Sequence, residues 1–121
     1  MSTDGFTLIE LLVVMVIIAV LIAIAVPSYL GFKKRAADSA AKANLRAALP
    51  AAEAYYAEAK TYVGMTPAAM RSIDAGLAPS IVVVTAAPNN YCLAASVAGE
   101  TWSVNGPGTP LPGYFSNGTC S

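Results

Sequence analysis

The chain has no histidine and little charge: of its 121 residues only 12% are Asp, Glu, Lys or Arg. Globular domains average about 25% charged residues. Without histidine, the commonest general base, the commonest metal ligand and every Ser-His or Cys-His nucleophile arrangement are excluded. The two cysteines, Cys92 and Cys120, lie far apart. Neither a four-cysteine nor a mixed cysteine–histidine zinc site can form from them. Seven basic residues cancel seven acidic ones, which speaks against a nucleic-acid binder held by bulk charge. These absences point away from an enzyme, from catalytic residues and from a resident metal or cofactor. The length fits one domain. What the chain has in excess is apolar residues, 56% of the total, so their placement is the informative question.

Most of them sit near the start. From Phe6 to Val26 only Thr7 and Glu10 are polar. As a helix this run spans roughly 31 Å, the thickness of a hydrocarbon core. Pro27, Ser28 and Tyr29 follow, then the basic run Lys33-Lys34-Arg35. The pattern reads as a membrane helix with an interfacial tyrosine and a basic flank. A cleaved signal peptide is the alternative. It needs a basic start and a shorter apolar core, and Met1–Gly5 contains no Lys or Arg. Glu10 stands out, because an ionised carboxylate in a bilayer costs about 2.5–3.5 kcal/mol or more. Cleavage between Gly5 and Phe6 would create a cation, the Phe6 α-amine, on the same helix face as Glu10. That pair could close within one chain or between neighbours. The plainer alternative leaves Glu10 solvated at the interface.

Gly5-Phe6-Thr7-Leu8-Ile9-Glu10-Leu11, followed by the apolar run and Pro27, resembles the prepilin signal of type IV pilins and the related pseudopilins. The resemblance implies that a membrane peptidase cuts between Gly5 and Phe6 and methylates Phe6. It also implies that Phe6, Thr7 and Glu10 serve assembly, with Glu10 pairing with a neighbour's N-terminus. Loss of Met1–Gly5 removes Asp4 and leaves a formal side-chain charge of +1. Two departures stand out: the leader lacks basic residues, and Ala19 occupies a position where many members have glycine. Ala19 favours helix by about 1 kcal/mol over Gly, which opposes melting between Ala19 and Pro27. Pro27 still removes the bond to the Ala23 carbonyl. Counting basic flanks places Lys33-Lys34-Arg35 in the cytoplasm, whereas the resemblance implies a C-terminal domain outside. A start upstream of Met1 would reconcile the two.

Past Pro27 the chain is alanine-rich and helix-forming. Leu45, Leu49, Ala52 and Tyr56 share one apolar face. Asp38 and Lys42, four apart, support the helix weakly. Pro50 is expected to bend it, and the helix to reach Tyr62 with Gly64 as terminator. From Phe6 to Tyr62 it would measure about 85 Å. Thr66-Pro67 reads as the cap and first residue of a short second helix ending near Gly76. Strands are expected at Ile81–Thr85, Tyr91–Val97 and Thr101–Val104, with a turn at Ala98-Gly99-Glu100 and a Gly/Pro-rich tail from Asn105. The fold class is α+β: a long N-terminal helix, membrane-spanning in its first half, with an antiparallel sheet of about three to four strands on its second half. The expected organisation is a leader at 1–5, a hydrophobic assembly helix at 6–30, an amphipathic continuation at 31–62 and a head at 63–121.

In the exported setting that the resemblance implies, Cys92 and Cys120 pair and close a loop of 29 residues counting both ends. Such a loop is worth roughly 3–4 kcal/mol in the chain-entropy model. Two reduced thiols are the alternative. Many pseudopilins use a calcium-binding loop instead, but after Asp74 the only acid here is Glu100. The reading is therefore a pilus subunit forming a homo-oligomeric extracellular filament, single-spanning in the inner membrane before assembly. Implied partners are the prepilin peptidase, an inner-membrane platform with its assembly ATPase, and minor pilins. Adhesion, surface motility and DNA uptake are the implied roles. A type II secretion pseudopilin and a minor pilin for DNA uptake or adhesion are the alternatives. Asn117-Gly118-Thr119 fits a glycosylation sequon or a plain turn. The aromatic residues of the helix, Phe6 to Tyr62, read as packing and anchoring rather than charge transport.

Overall fold

The computed structural model describes residues 5–107 and 115–120. Leader residues 1–4, the tail at 108–114 and Ser121 lie outside the described residues. The elements are α1 (Leu8–Ala59), α2 (Pro67–Ile73), β1 (Ile81–Ala86), β2 (Tyr91–Val97), β3 (Glu100–Gly106) and β4 (Phe115–Asn117). The fold is α+β, as expected. The chain forms two compact units, Met1–Lys33 and Lys34–Ser121.

In the first unit the helix has nothing to pack on. Every residue from 5 to 36 is exposed. Helical assignment continues through Ala19, Pro27 and, in the second unit, Pro50. Alanine at position 19 and the alanines and leucine around Pro50 are consistent with this continuity.

In the second unit α1 buries Ala37, Ala41, Leu45, Ala48, Ala51 and Ala52. The expected face at Leu45, Leu49, Ala52 and Tyr56 is part of this contact, but alanine dominates it. Tyr62, Met65, Met70, Leu77, Ile81, Tyr91, Leu93, Ala95 and Val104 complete the core. The helix ends at Ala59, short of the expected Tyr62. Lys60 adopts φ 60, and its N–H donates to the Tyr56 carbonyl at 2.8 Å. This is the left-handed helix stop usually supplied by glycine, and it acts four residues before Gly64. Thr66 caps α2 as expected: its hydroxyl accepts from the Ala69 N–H at 3.1 Å, with Pro67 at the first position. That helix closes at Ile73, before Gly76, where the Asp74 N–H donates to the Met70 carbonyl.

The sheet is an antiparallel meander in the order β1-β2-β3-β4. A bulge interrupts β1 between Val83 and Thr85. Ala98 (φ 50) and Gly99 (φ 84) join β2 to β3 with Val97 opposite Glu100. Both positive angles fit the two-residue hairpin turn that matches strand twist. Asn105 and Gly106, expected to open the tail, extend β3 instead, and the fourth strand ends at Asn117. Cys92 and Cys120 are disulfide-bonded, with Cα atoms 6.3 Å apart, inside the usual range for such a bond.

Candidate functional site

The residues singled out near the start converge on the beginning of α1. Gly5, Phe6 and Thr7 precede the helix and are exposed. A Cβ on Gly5 would meet open space, and Phe6 is 87% exposed. Thr7 is the N-cap. Its hydroxyl accepts from the Glu10 N–H at 3.2 Å, and the Glu10 carboxylate accepts from the Thr7 N–H at 3.3 Å. The Leu11 N–H donates to the Thr7 carbonyl at 3.2 Å. This reciprocal pair is a capping box, which satisfies two of the four N–H groups a helix start leaves unpaired. Its signal in the sequence is Thr7-x-x-Glu10 before an apolar run.

The cap changes what Glu10 must be credited with. Its carboxylate lies at the positive end of the α1 dipole, and Oε2 holds the Thr7 N–H. Both interactions exist within one chain. Phe6, Ile9, Glu10, Val13 and Val14 border a shallow concavity on one helix face. Spacing of three and four residues puts them there, so the single carboxylate stands within an otherwise apolar strip.

The remaining residues occupy separate places. Pro27 and Pro50 both lie inside α1. Asn117 is the exposed last residue of β4, and Gly118 follows with φ 88. The basic residues of α1 are largely engaged by the head. Lys34 Nζ is 3.7 Å from Asp38 Oδ2 and 3.6 Å from Glu100 Oε2. Lys42 Nζ stands 3.9 Å above the Trp102 ring, and the Arg46 guanidinium 5.1 Å from the Phe115 ring. Trp102 Nε1 donates to Asp38 Oδ1 at 2.9 Å. That bond, assisted by nearby Lys34, holds the Asp38 carboxyl below its usual value. Lys42, four residues along the helix, adds its charge to the same carboxyl, as expected, beside these ties between helix and strand.

A tyrosine cluster went unforeseen. The ring centroids of Tyr56 and Tyr62 lie 4.6 Å apart, and those of Tyr62 and Tyr91 4.7 Å. The Tyr62 and Tyr91 hydroxyls both donate to the Glu53 carboxylate, at 3.1 and 3.3 Å. Burial and then the Glu53 charge push Tyr62 up to about 12 and also raise Tyr91. Gly106 makes room for this cluster, since a Cβ there would fall 2.5 Å from the Tyr91 ring.

Comparison with known proteins bears on this architecture. The family model described as "Prokaryotic N-terminal methylation motif" matches residues 1–26. The chain is 37% identical over 122 aligned residues to the "Type IV wide pilus major component PilA4" of Thermus thermophilus, covering 98% of this chain and 90% of that protein. It is 45% identical over 58 residues to the "Type IV major pilin protein PilA" of Myxococcus xanthus, covering 48% of this chain and 26% of that protein.

Proposed function

This chain belongs to the type IV pilin family, and from that premise we propose that it polymerises through the bare first half of α1 into an extracellular filament. It is a structural subunit of a type IV pilus. The observation that carries the proposal is the unbroken exposure of residues 6–32, a largely apolar surface that water does not tolerate. A bilayer covers it before assembly, and neighbouring helices cover it afterwards.

In this reading the prepilin peptidase cuts between Gly5 and Phe6 and methylates Phe6. The new amine, with an ordinary pKa of about 7.7–8.0, carries positive charge at neutral pH. Glu10 of an incoming subunit, costly in the bilayer while unpaired, docks beside the Phe6 amine of the previous one. The capping box assists, because the Thr7 N–H fixes one carboxylate oxygen and leaves the other for the neighbour. The assembly ATPase, its membrane platform and minor pilins supply energy and initiation. Adhesion, surface motility or DNA uptake is then a property of the finished filament. The head lies outside the inner membrane, where an oxidising compartment suits the Cys92–Cys120 bond.

Two variants of Glu10 separate cap from charge. Glu10→Gln retains an acceptor for the Thr7 N–H, so the capping box survives, but it cannot form an ion pair. Both Glu10→Gln and Glu10→Ala are expected to be cleaved after Gly5 and to yield few or no filaments in sheared surface material. Abundant filaments from Glu10→Gln would defeat the pairing. Mass spectrometry of the mature chain is expected to find residues 1–5 gone, Phe6 methylated and the disulfide formed. A chain confined to the membrane fraction while pili are made would overturn the filament reading itself.

A further inference from the structure

Tyr56, Tyr62 and Tyr91 form a row of tilted ring contacts inside the head, with centroids 4.6 and 4.7 Å apart. They come from α1, the loop after it and β2. Tyr62 lies in the middle and is 1% exposed, and Tyr91 is 3% exposed. Tyr56 is half-buried and gives the row an edge to solvent. Packing alone does not call for hydroxyls here, and burying one without a partner is costly. Both buried hydroxyls donate to a single group, the Glu53 carboxylate. Among the described residues no other tyrosine hydroxyl donates to a carboxylate; that of Tyr55 donates to the Val63 carbonyl.

Within the row the geometry singles out Tyr62. Its oxygen is 3.1 Å from both Glu53 oxygens, inside the reach of about 2.6–3.2 Å over which a base takes a proton. The Tyr91 oxygen, 3.3 Å from Oε1, lies just beyond it. Glu53 is itself exposed, so a proton it receives has a way on to water. At neutral pH Tyr62 holds its proton, because burial and then the Glu53 charge push it up to about 12. Loss of an electron from the ring reverses the balance. A ring oxidised with its proton in place is a buried cation, which is costly, and the facing carboxylate relieves that cost by taking the proton. Removing an electron beside a negative charge is also favoured electrostatically, the more so in a dry surrounding. Trp102 likewise donates to a carboxylate, that of Asp38. Its ring, however, carries Lys42 Nζ at 3.9 Å, and a cation there opposes positive charge on the ring.

We infer that Tyr62 is a reversible one-electron redox site with Glu53 as its proton acceptor. The substrates are small one-electron oxidants in the surrounding solution, and the electron leaves through Tyr56. The oxidant gains one electron from Tyr56, and Tyr62 returns one electron to Tyr56. The Tyr62 O–H bond breaks and its proton forms an O–H bond on Glu53. A neutral phenoxyl radical then faces a neutral carboxylic acid, and the oxidant is reduced by one electron. A one-electron donor in solution, such as ascorbate, reverses the step: Tyr62 regains the electron and the proton returns from Glu53. Buried as it is, the Tyr62 ring is kept from coupling with a second radical. The site is local to one head. It conducts nothing along a filament, and it stands whether or not the chain polymerises.

The test uses the full-length chain in detergent micelles, oxidised by a flash-generated ruthenium(III) polypyridyl complex and frozen for electron paramagnetic resonance. A neutral tyrosyl radical is expected in the native chain. In deuterated water, electron–nuclear double resonance should find a deuteron hydrogen-bonded to the radical oxygen, and formation of the radical should slow. Tyr62→Phe should abolish the long-lived signal, whereas Tyr29→Phe and Tyr55→Phe should keep it. Glu53→Gln retains an acceptor but is no base, and should slow radical formation at least ~10-fold. No protein radical, or a signal unchanged in Tyr62→Phe, overturns the redox site. An unchanged rate in Glu53→Gln overturns proton transfer to Glu53. So does a native radical without the hydrogen-bonded deuteron, a reading that needs no variant and decides the matter even where a variant unfolds.

Discussion

Among the described residues, two hold backbone angles that their side chains disfavour: Lys60 at φ 60 and Ala98 at φ 50. For an L-residue the left-handed region costs about 1–2 kcal/mol. Lys60 is exposed, so its side chain contributes little that could offset the cost. Lys60→Gly is expected to stabilise the head by about 1 kcal/mol. Ala98→Asn, which suits the turn, should do the same by a smaller amount. Thermal melts followed through the near-UV signal of Trp102 would check both. A fall in melting temperature would mean that Lys60 makes a contact outweighing its strain. Gly106 is the opposite case. Ala there would drive a Cβ into the Tyr91 ring and part it from Glu53, and overpacking of this kind costs about 1–3 kcal/mol. The turn at Ala98 was legible in the sequence; the stop at Lys60 and the close approach at Gly106 were not, because they depend on where the rest of the chain passes.

Between elements, the polar junctions that fasten the head to α1 include Asp38–Trp102 at β3 and Glu53 with Tyr62 and Tyr91. Their titrations bound the stability profile. Asp38 has a lowered folded value, so its contribution is present above the ordinary 3.8 and is lost as pH falls through the folded value. Tyr62 is raised to about 12 from 10.0. Its contribution is complete below pH 10.0 and is lost as pH rises through about 12. Stability is therefore expected to stay flat at neutral pH and fall at both ends. Tyr62→Phe should shrink the alkaline loss, and Trp102→Phe the acid one, as followed by denaturant midpoint against pH. The elements themselves were largely readable. Thr66-Pro67, the β-branched run at Ile81 and the strand Tyr91–Val97 declare themselves by local chemistry. β4 escaped because three residues after a Gly/Pro-rich stretch carry no period. The alanine face of α1 escaped because alanine marks helix without marking which side is buried. At the N-terminus the separation of roles was half legible. The sequence exposed the oddness of Glu10 and carried the Thr7-x-x-Glu10 spacing, and the geometry shows that Thr7 uses it as a cap.

At the scale of the whole molecule the surplus of apolar residues divides between the two units without being shared. The unit Lys34–Ser121 draws its core from Ala37 onward, and residues 5–36 bury nothing. Folding of the head and association of the helix are then separable properties of one chain. A chain lacking residues 1–28 loses the apolar run, Pro27 and the Phe6, Thr7 and Glu10 group, but no residue of the core. It is expected to stay soluble without detergent and to keep the Cys92–Cys120 bond. Its near-UV spectrum and melting temperature should match those of the full chain in micelles. Removing about two dozen side chains that are buried in neither state subtracts little from folding, because hydrophobic stabilisation follows the area withdrawn from water. The same chain should enter no filament, since the surface that neighbours would cover is gone. A head that unfolds or aggregates after this truncation would mean that the first half of α1 supports the fold as well as the assembly. Electron microscopy and a thermal melt of the one variant therefore read the two properties independently.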